Sequence, residues 1–166
     1  RKKIGKRTIF NMIGPLSNPA LVNKQVVGVF DKKLLKIFVE ALKNLNIKFA
    51  WIVNSEDGLD EISPYEKTNV MQLKDGQISE FIIDPKLLNI NAEKFENLVG
   101  NDAKFNANKM IEIFKGIDND FSKAVCLNTA AGLIVSEKFT EYLDAYNHAR
   151  EFILSGKPYS YLKKIQ

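Results

Sequence analysis

The chain has 166 residues, of which 45% are hydrophobic and 27% are charged, as in an ordinary globular domain with a buried core. No apolar run approaches the ~18 residues that a membrane-spanning helix needs. The single Cys126 and the single His148 exclude an internal disulfide and argue against a zinc site. This cysteine content fits the reducing cytoplasm.

The net charge of +4 is concentrated at the amino end, where five of the first seven residues are basic. These residues are Arg1, Lys2, Lys3, Lys6 and Arg7. Such a cluster can bind nucleic acid, form one anion-binding end of a small-molecule site, or simply face solvent. Composition alone leaves the three interpretations open.

The first predicted unit is a strand, a helix and a second strand. Gln25–Phe30 is typical of a buried strand, and Asp31 is a candidate N-cap for the helix that follows. Apolar residues recur at helical spacing from 34 to 45, and the helix is expected to end at 44–46. A second apolar strand is predicted at Lys48–Asn54. This order predicts a parallel pair with a right-handed crossover.

A hairpin is predicted after this unit. Val70–Lys74 and Gln77–Ile83 alternate in polarity on either side of Asp75-Gly76. An Asp-Gly pair between two such runs favours a two-residue type I′ turn. Asp84-Pro85 is expected to close the hairpin.

The second half of the chain has a helical pattern. Helices are predicted at about 92–98, 102–115, 120–135 and 139–155, with a short last helix from about 158. An apolar stripe on the second of these is assigned to the core. It consists of Phe105, Met110, Ile111, Ile113 and Phe114. Gly116 is the expected stop after that helix. The predicted fold class is therefore α/β: a small sheet with a parallel β-α-β unit and a hairpin, followed by a helical second half.

An acidic turn follows the second strand, with the sequence Asp57-Gly58-Leu59-Asp60-Glu61. Two adjacent carboxylates on a loop at the carboxyl end of a strand suit Mg²⁺, which takes one or two protein carboxylates and fills its other positions with water and phosphate oxygens. A solvated surface turn is the alternative for this pair. Asp57 is expected to cap the turn and not to bind metal.

Four stretches carry a resemblance to a known family. The first two are Arg7–Asn11 followed by Gly14–Pro19, and Gly58–Glu61. The others are Gly100–Ala103 with Asn106-Ala107, and Leu127–Ala131. Together they resemble signatures of the anthranilate phosphoribosyltransferases, along nearly the whole chain. The first two are specific and the last two are supporting.

The resemblance implies a nucleoside phosphorylase/phosphoribosyltransferase catalytic domain and a reaction. The amine of anthranilate would displace pyrophosphate from phosphoribosyl pyrophosphate, a step of tryptophan biosynthesis. Asp60 and Glu61 match the family's magnesium ligands. Arg1 aligns with an arginine that grips the carboxylate of anthranilate, with Arg7 as a competitor for this role. Gly14 and Pro15 match residues that line the anthranilate pocket, and no residue is assigned as a covalent or acid–base catalyst.

Two family elements do not occur in the sequence, a GTGGD-like loop and a KHGNR-like stretch. The expectation is that residues 1–166 form the carboxyl-terminal part of the catalytic domain, without the helical amino-terminal domain. Alone, this part is expected to be inactive. It should leave an edge strand or an apolar helix face uncovered, and so self-associate or have limited stability. The complete enzyme is expected to be a homodimer with no membrane partner.

Two alternatives and two departures accompany the resemblance. A pyrimidine nucleoside phosphorylase of the same fold is one alternative, and a nucleic-acid-binding relative without transferase activity is the other. The family's usual Gly-Gly is replaced by Gly100-Asn101, and a frequent His-Gly by residues of Asn54–Glu56. Neither departure affects Asp60 and Glu61.

Overall fold

A computed structural model describes residues 13–93 and 95–165. Its centre is a sheet of four strands in the spatial order β1-β2-β3-β4. The strands are β1 (Lys24–Gly28), β2 (Phe49–Ser55), β3 (Thr68–Lys74) and β4 (Gln77–Ile83). Arg1, which the resemblance aligns with the arginine that grips anthranilate, and its competitor Arg7 lie outside the described residues.

The predicted β-α-β unit is confirmed. Strands β1 and β2 pair in parallel, with Gln25 opposite Ala50, and helix α1 (Leu34–Asn44) connects them. All seven residues of β2 are buried, because both faces of this strand are covered. Side chains alternate between the faces, so Trp51 belongs to one core cluster and Ile52 to the other.

The start of α1 differs from the sequence prediction. Lys33 occupies the N-cap position and makes no capping hydrogen bond through its side chain. Asp31 lies two residues earlier, where its Oδ1 accepts from the Lys33 N–H at 2.9 Å. Asp31 therefore caps the turn that leads into the helix and not the helix itself. The helix ends at Asn44 as predicted.

The predicted hairpin and its turn are confirmed. Strands β3 and β4 are antiparallel, and Lys74 pairs with Gln77 across the turn. The two turn residues have positive φ, 47° at Asp75 and 80° at Gly76. Positive φ at both central positions defines the type I′ turn that an Asp-Gly pair favours.

Helices cover one side of the sheet in the second half of the chain. They are α2 (Ala103–Phe114), α3 (Asp120–Val135), α4 (Tyr142–Leu154) and α5 (Lys157–Ile165), and short 3₁₀ turns lie at Gly14–Leu16 and Phe95–Leu98. The region predicted as a helix at 92–98 contains only the second of these turns. Small buried residues, Ala130 and Ala131 on α3 with Ala145 and Ala149 on α4, let the two central helices pack closely.

The assignment of the α2 stripe to the core is confirmed for Ile113 and Phe114 and wrong for Phe105 and Met110. Only Ile113 of this helix is buried, whereas 38% of Phe105 and 53% of Met110 are exposed. The periodicity located the apolar face correctly, but within the described residues little covers its amino-terminal end. Gly116 is the predicted stop: its φ is 91°, and its N–H donates to the carbonyl of Ile113 at 2.9 Å.

Strands β1 and β4 are the two edges of the sheet formed by the described strands. Among the described residues, the amino-terminal part of the apolar face of α2 is exposed, whereas the self-association expected from an uncovered face stays a prediction. Within residues 13–93 and 95–165, no helix is both long and apolar enough to cross a membrane.

Candidate active site

An open cleft of about 740 Å³ lies between the acidic loop, the end of the parallel strands and α3. Asp60 and Glu61 both line it, as the sequence predicted for a shared site. The remaining walls come from the strands (Val26, Gly28, Val53), the loops (Leu59, Leu98) and α3 (Phe121, Ala124, Val125, Asn128, Thr129). The cleft thus combines two adjacent acids with a largely apolar surface opposite them.

The acidic loop is built by local hydrogen bonds. The Gly58 N–H donates to the carbonyl of Ser55 at 3.0 Å, and the Ser55 N–H donates to the carbonyl of Leu59 at 3.0 Å. Gly58 has a φ of 91°, which glycine adopts without strain. Asp57 accepts from the Leu59 N–H through Oδ1 and from the Ser63 hydroxyl through Oδ2. Asp57 is therefore the turn cap that the sequence predicted, with both its oxygens occupied.

Gly28 brings β1 into direct contact with this loop. A Cβ atom at position 28 would lie 1.5 Å from the carbonyl oxygen of Asp60 and 2.6 Å from its carbonyl carbon. Backbone cannot move away as a flexible side chain can, so only glycine fits here without displacing the loop. The end of β1 therefore fixes the height of Asp60 above the sheet.

Asn128 connects α3 to the other end of the acidic pair. Its Oδ1 accepts from the Ile62 N–H at 3.0 Å, and its Nδ2 donates to the Ile62 carbonyl at 3.1 Å. The same Nδ2 donates to the Ala124 carbonyl at 2.9 Å, one turn earlier in α3. Ile62 follows Glu61 directly and is fully buried. The loop is thus held by β1 at Asp60 and by α3 at Ile62, just after the acidic pair.

The segment that follows the acidic pair is also tied to α3. The Tyr65 hydroxyl donates to Oδ2 of the buried Asp120 at 3.0 Å, and the Glu93 N–H donates to the same oxygen at 3.0 Å. Lys123 pairs with the other oxygen of Asp120 at 3.1 Å. Burial and the contact with Asp120 raise the pKa of Tyr65, so its hydroxyl stays protonated as a donor. This network fixes the approach of α3 to the loop.

The electrostatics of the acidic pair favour a cation. Partial burial in the cleft wall raises the pKa of the Glu61 carboxyl, and the neighbouring charge of Asp60 raises it further. Both side chains remain exposed to solvent. Two carboxylates that repel each other in this way gain most from a divalent ion that bridges them.

The two carboxylates of Asp60 and Glu61 fit an Mg²⁺ ion whose remaining ligands come from water and a substrate. The part of the chain that the structure describes contains no group of three or more His, Cys, Asp or Glu residues placed to hold a metal. Two carboxylates alone do not make a closed protein cage, but Mg²⁺ is commonly held by one or two carboxylates with water and substrate phosphates completing its shell. Asp60 and Glu61 therefore suit a magnesium ion that a phosphorylated ligand shares.

Gly14 and Pro15 line a second groove, of about 510 Å³, beside β1. Val26 contributes to both this groove and the cleft of the acidic pair, so the two spaces meet at the edge strand. No described atom lies within 4 Å of the position that a Cβ on Gly14 would take. The structure thus places the predicted substrate residues Gly14 and Pro15 in a groove that shares Val26 with the cleft of the predicted metal residues, and not in that cleft itself.

The third sequence signature, Gly100–Ala103 with Asn106-Ala107, forms the start of α2 and the loop before it. Asp102 caps α2 by accepting from the Phe105 N–H at 2.7 Å. Asn106 accepts from the Asn101 N–H at 3.0 Å and donates to the Asn101 carbonyl at 3.4 Å. A Cβ on Gly100 would lie 2.9 Å from Oδ1 of Asn106. The replacement of Gly-Gly by Gly100-Asn101 therefore leaves a loop that Asn106 closes.

Residues 1–159 match the family model described as glycosyl transferase family, a/b domain. The chain belongs to this family. One curated relative of this chain is the anthranilate phosphoribosyltransferase of Pelagibacter ubique (strain HTCC1062). The two sequences are 80% identical over 166 residues, which is 100% of this chain and 50% of the relative.

Solved structures from the same glycosyl transferase family share the fold. Anthranilate phosphoribosyltransferase from Thermus thermophilus superposes with a TM-score of 0.85 at 29% identity, over 99% of this chain and 48% of that one. The Saccharomyces cerevisiae enzyme in complex with PRPP and Mg gives a TM-score of 0.83 at 26% identity, over 98% and 47%. The same enzyme with 4-fluoroanthranilate gives 0.84 at 26% identity, over 98% and 48%.

These comparisons confirm the predicted family and the α/β fold class. The chain spans about half the length of the relatives that it matches. The sequence did not reveal that two residues, Gly28 and Asn128, hold the acidic loop in place. An isolated glycine inside the apolar run of β1 was a usable signal, because such a glycine often marks close approach of another backbone. Asn128 belonged to a recognised signature, but its partner Ile62 is 66 residues away.

Proposed function

We propose that the complete protein is an anthranilate phosphoribosyltransferase. It transfers the phosphoribosyl group of phosphoribosyl pyrophosphate to the amine of anthranilate and releases pyrophosphate. The observation that carries this proposal is the pair of adjacent carboxylates, Asp60 and Glu61, in an open cleft. The chain that holds this cleft is 80% identical along its whole length to a relative of that name.

Asp60 and Glu61 are the proposed magnesium ligands of the reaction. A bound Mg²⁺ would offset the negative charge that grows on the departing pyrophosphate. The two carboxylates would hold the ion, and the contacts of Gly28 and Ile62 keep the carboxylates in place without reorganisation during the reaction. The S. cerevisiae enzyme is described in complex with PRPP and Mg, which supports magnesium as the ion of the reaction.

Gly14, Pro15 and Arg1 are the proposed anthranilate residues. A glycine lets a flat ring approach the backbone, and the proline ring adds a rigid apolar wall. The guanidinium of Arg1 matches a planar carboxylate bidentately. The groove at Gly14 shares Val26 with the cleft of Asp60 and Glu61, so two substrates held in these spaces would lie on the same strand, β1. Positioning the two substrates is then the main task of these residues, because the reaction needs no covalent step on the protein.

The proposal extends to the whole protein. It acts in tryptophan biosynthesis in the cytoplasm, where Cys126 stays a reduced and buried thiol. We propose that the complete enzyme is a homodimer and that residues 1–166 are the carboxyl-terminal part of its catalytic domain. On this proposal, the 166-residue chain alone turns over no substrate.

The test is a hybrid enzyme in which this chain replaces the matching half of the P. ubique relative. Anthranilate fluorescence, followed with phosphoribosyl pyrophosphate and Mg²⁺, reports turnover. We expect an active hybrid that Asp60→Asn/Glu61→Gln slows by about 100-fold or more, since removing one preorganised electrostatic contact costs on the order of 10²–10³ in rate. Glu56→Gln removes one charge from an exposed position of the same loop outside the cleft and should leave turnover unchanged.

Two results would reject parts of this proposal. An active hybrid that the double substitution leaves unaffected would return Asp60 and Glu61 to a solvated turn. An inactive hybrid that binds DNA at low salt, with affinity falling steeply as salt rises, would favour the nucleic-acid-binding alternative.

A further inference from the structure

The side chain of Asn128 is committed to the backbone beside the acidic pair. It accepts from the Ile62 N–H at 3.0 Å and donates to the Ile62 carbonyl at 3.1 Å and the Ala124 carbonyl at 2.9 Å. A side-chain amide has two N–H donors, and both are used here. Asn128 therefore has no donor left for a ligand, although it lines the cleft.

The bond to Ala124 fixes the orientation of this amide. Ala124 lies one turn earlier in α3 and is buried, so its carbonyl is a stationary acceptor. Rotating the amide by half a turn would set Nδ2 against the Ile62 N–H and Oδ1 against two carbonyls. The side chain consequently has one stable orientation, and that orientation specifies where the Ile62 backbone lies.

The position of Ile62 in turn limits where the acidic pair can lie. The Ile62 side chain is fully buried in the core cluster that also contains Leu127 of α3. Glu61 precedes it by one residue, and Asp60 touches Gly28 on the other side. With both flanks held, the exposed carboxylates of Asp60 and Glu61 have little freedom except in their own side-chain torsions.

We propose that Asn128 is a positioning residue that aims the Asp60 and Glu61 carboxylates into the cleft for a divalent cation. It does so by holding the backbone of Ile62 through its side-chain amide. This inference rests on the proposed function, because it takes the acidic pair to be the magnesium site. Groups that orient metal ligands from behind typically contribute about 10–100-fold to metal affinity.

The experiment uses the hybrid enzyme with Asn128→Leu, which keeps the size of the side chain and removes all three hydrogen bonds. Three quantities are measured: direct Mn²⁺ binding by electron paramagnetic resonance with phosphoribosyl pyrophosphate present, the Mg²⁺ concentration for half-maximal turnover, and hydrogen exchange of the Ile62 amide. We expect about 10-fold weaker metal binding, a matching rise in the Mg²⁺ requirement, and faster exchange at Ile62. Saturating Mg²⁺ should recover most of the turnover.

Tyr142→Phe is the matched control. It removes the hydrogen bond of 2.8 Å from the Tyr142 hydroxyl to the carbonyl of Leu127, the residue next to Asn128, and leaves Ile62 untouched. It should lower stability without changing metal binding or Ile62 exchange. Asn128→Ser is a milder second variant, because a serine hydroxyl can still reach the carbonyl one turn back while both bonds to Ile62 are lost. We expect it to weaken metal binding in the same direction.

The outcomes separate this inference from the proposed function. If Asp60→Asn/Glu61→Gln abolishes Mn²⁺ binding but the Asn128 variants bind within about 2-fold of the parent, Asn128 is structural only and the inference fails. If the parent binds no Mn²⁺ at the acidic pair, the proposed function fails, and the Ile62 exchange rates still show whether Asn128 holds the loop. Asn128→Ser decides the matter should Asn128→Leu not fold.

Discussion

Gly28 is the single residue on which the placement of the acidic loop depends most directly. A Cβ there would meet the Asp60 carbonyl oxygen at 1.5 Å, well inside any real contact distance. We expect Gly28→Ala to push the loop off β1, lowering the free energy of unfolding by roughly 1–3 kcal/mol, as overpacking usually does. The displaced carboxylates should also raise the Mg²⁺ requirement of the hybrid enzyme. Urea denaturation and the Mg²⁺ titration measure the two effects.

Gly132→Ala is the control for this prediction. Gly132 lies in α3, and apart from its chain neighbours and the nearby backbone of its own helix, no described atom comes within 4 Å of the position that an added methyl group would take. Alanine should therefore raise stability by about 0.5–1 kcal/mol through its better helix propensity. Equal stability and equal Mg²⁺ requirement in Gly28→Ala and the parent would contradict the close approach of β1 to the loop.

The contacts of single residues explain why the sequence predicted part of the site and not the rest. The capping role of Asp57 depends on Leu59 and Ser63, within six positions, so a local pattern was enough to predict it. Asp60 and Glu61 are adjacent in the sequence itself, which made them a visible candidate pair. Gly28 and Asn128 act through Asp60 and Ile62, 32 and 66 positions away. Nothing in a single sequence pairs residues so distant before the fold is known.

At the scale of elements, periodicity predicted the fold well because most elements are amphipathic or fully buried. Strand β2 is apolar because both its faces are covered, and the hairpin needed only the Asp75-Gly76 turn. The burial of α2 was mistaken because a stripe of apolar residues records which side of a helix is apolar and not what lies against it. Only its last turn packs on the core, through Ile113 and Phe114.

The close approach of Gly116, just after α2, to the end of α4 predicts the effect of a substitution on stability. A Cβ on Gly116 would lie 2.5 Å from the carbonyl oxygen of Leu154, the last residue of α4, and the φ of Gly116 is 91°. Gly116→Ala should therefore cost more than the roughly 1–2 kcal/mol of a left-handed residue alone. The free energy of unfolding, from urea denaturation, is the measurement.

Gly76→Ala separates the cost of the left-handed backbone conformation from the cost of the contact with Leu154. Gly76 also has a positive φ, 80°, but no described atom lies within 4 Å of its added methyl position. Gly76→Ala should lower the free energy of unfolding through the backbone conformation alone, because no contact like that of Gly116 with Leu154 is present. If Gly116→Ala is no more destabilising than Gly76→Ala, the packing of α2 on the end of α4 contributes nothing to stability.

For the whole molecule, the buried interface between α3 and α4 predicts how stability depends on alkaline pH. Burial raises the pKa of the Cys126 thiol to about 11, from an ordinary value of 9.0. Burial likewise raises the pKa of Tyr146, on the facing helix, to about 12 from 10.0. Both residues lie in one core cluster, and both are neutral in the folded protein at neutral pH.

The sign of the effect follows from proton binding. Between pH 9 and pH 11 the unfolded chain releases the Cys126 proton while the folded chain keeps it, and Tyr146 behaves in the same way between pH 10 and pH 12. Stability is therefore complete below pH 9 and falls as pH rises, by roughly 2–3 kcal/mol for each group. Urea midpoints measured from pH 7 to pH 11 should decrease above pH 9. Cys126→Ala should delay the decrease to about pH 10, because only tyrosines whose pKa is raised by burial, Tyr146 with Tyr65 and Tyr142, then contribute. A midpoint that is the same at pH 8 and pH 10.5 in the unsubstituted chain would show that the thiol is not buried between these helices.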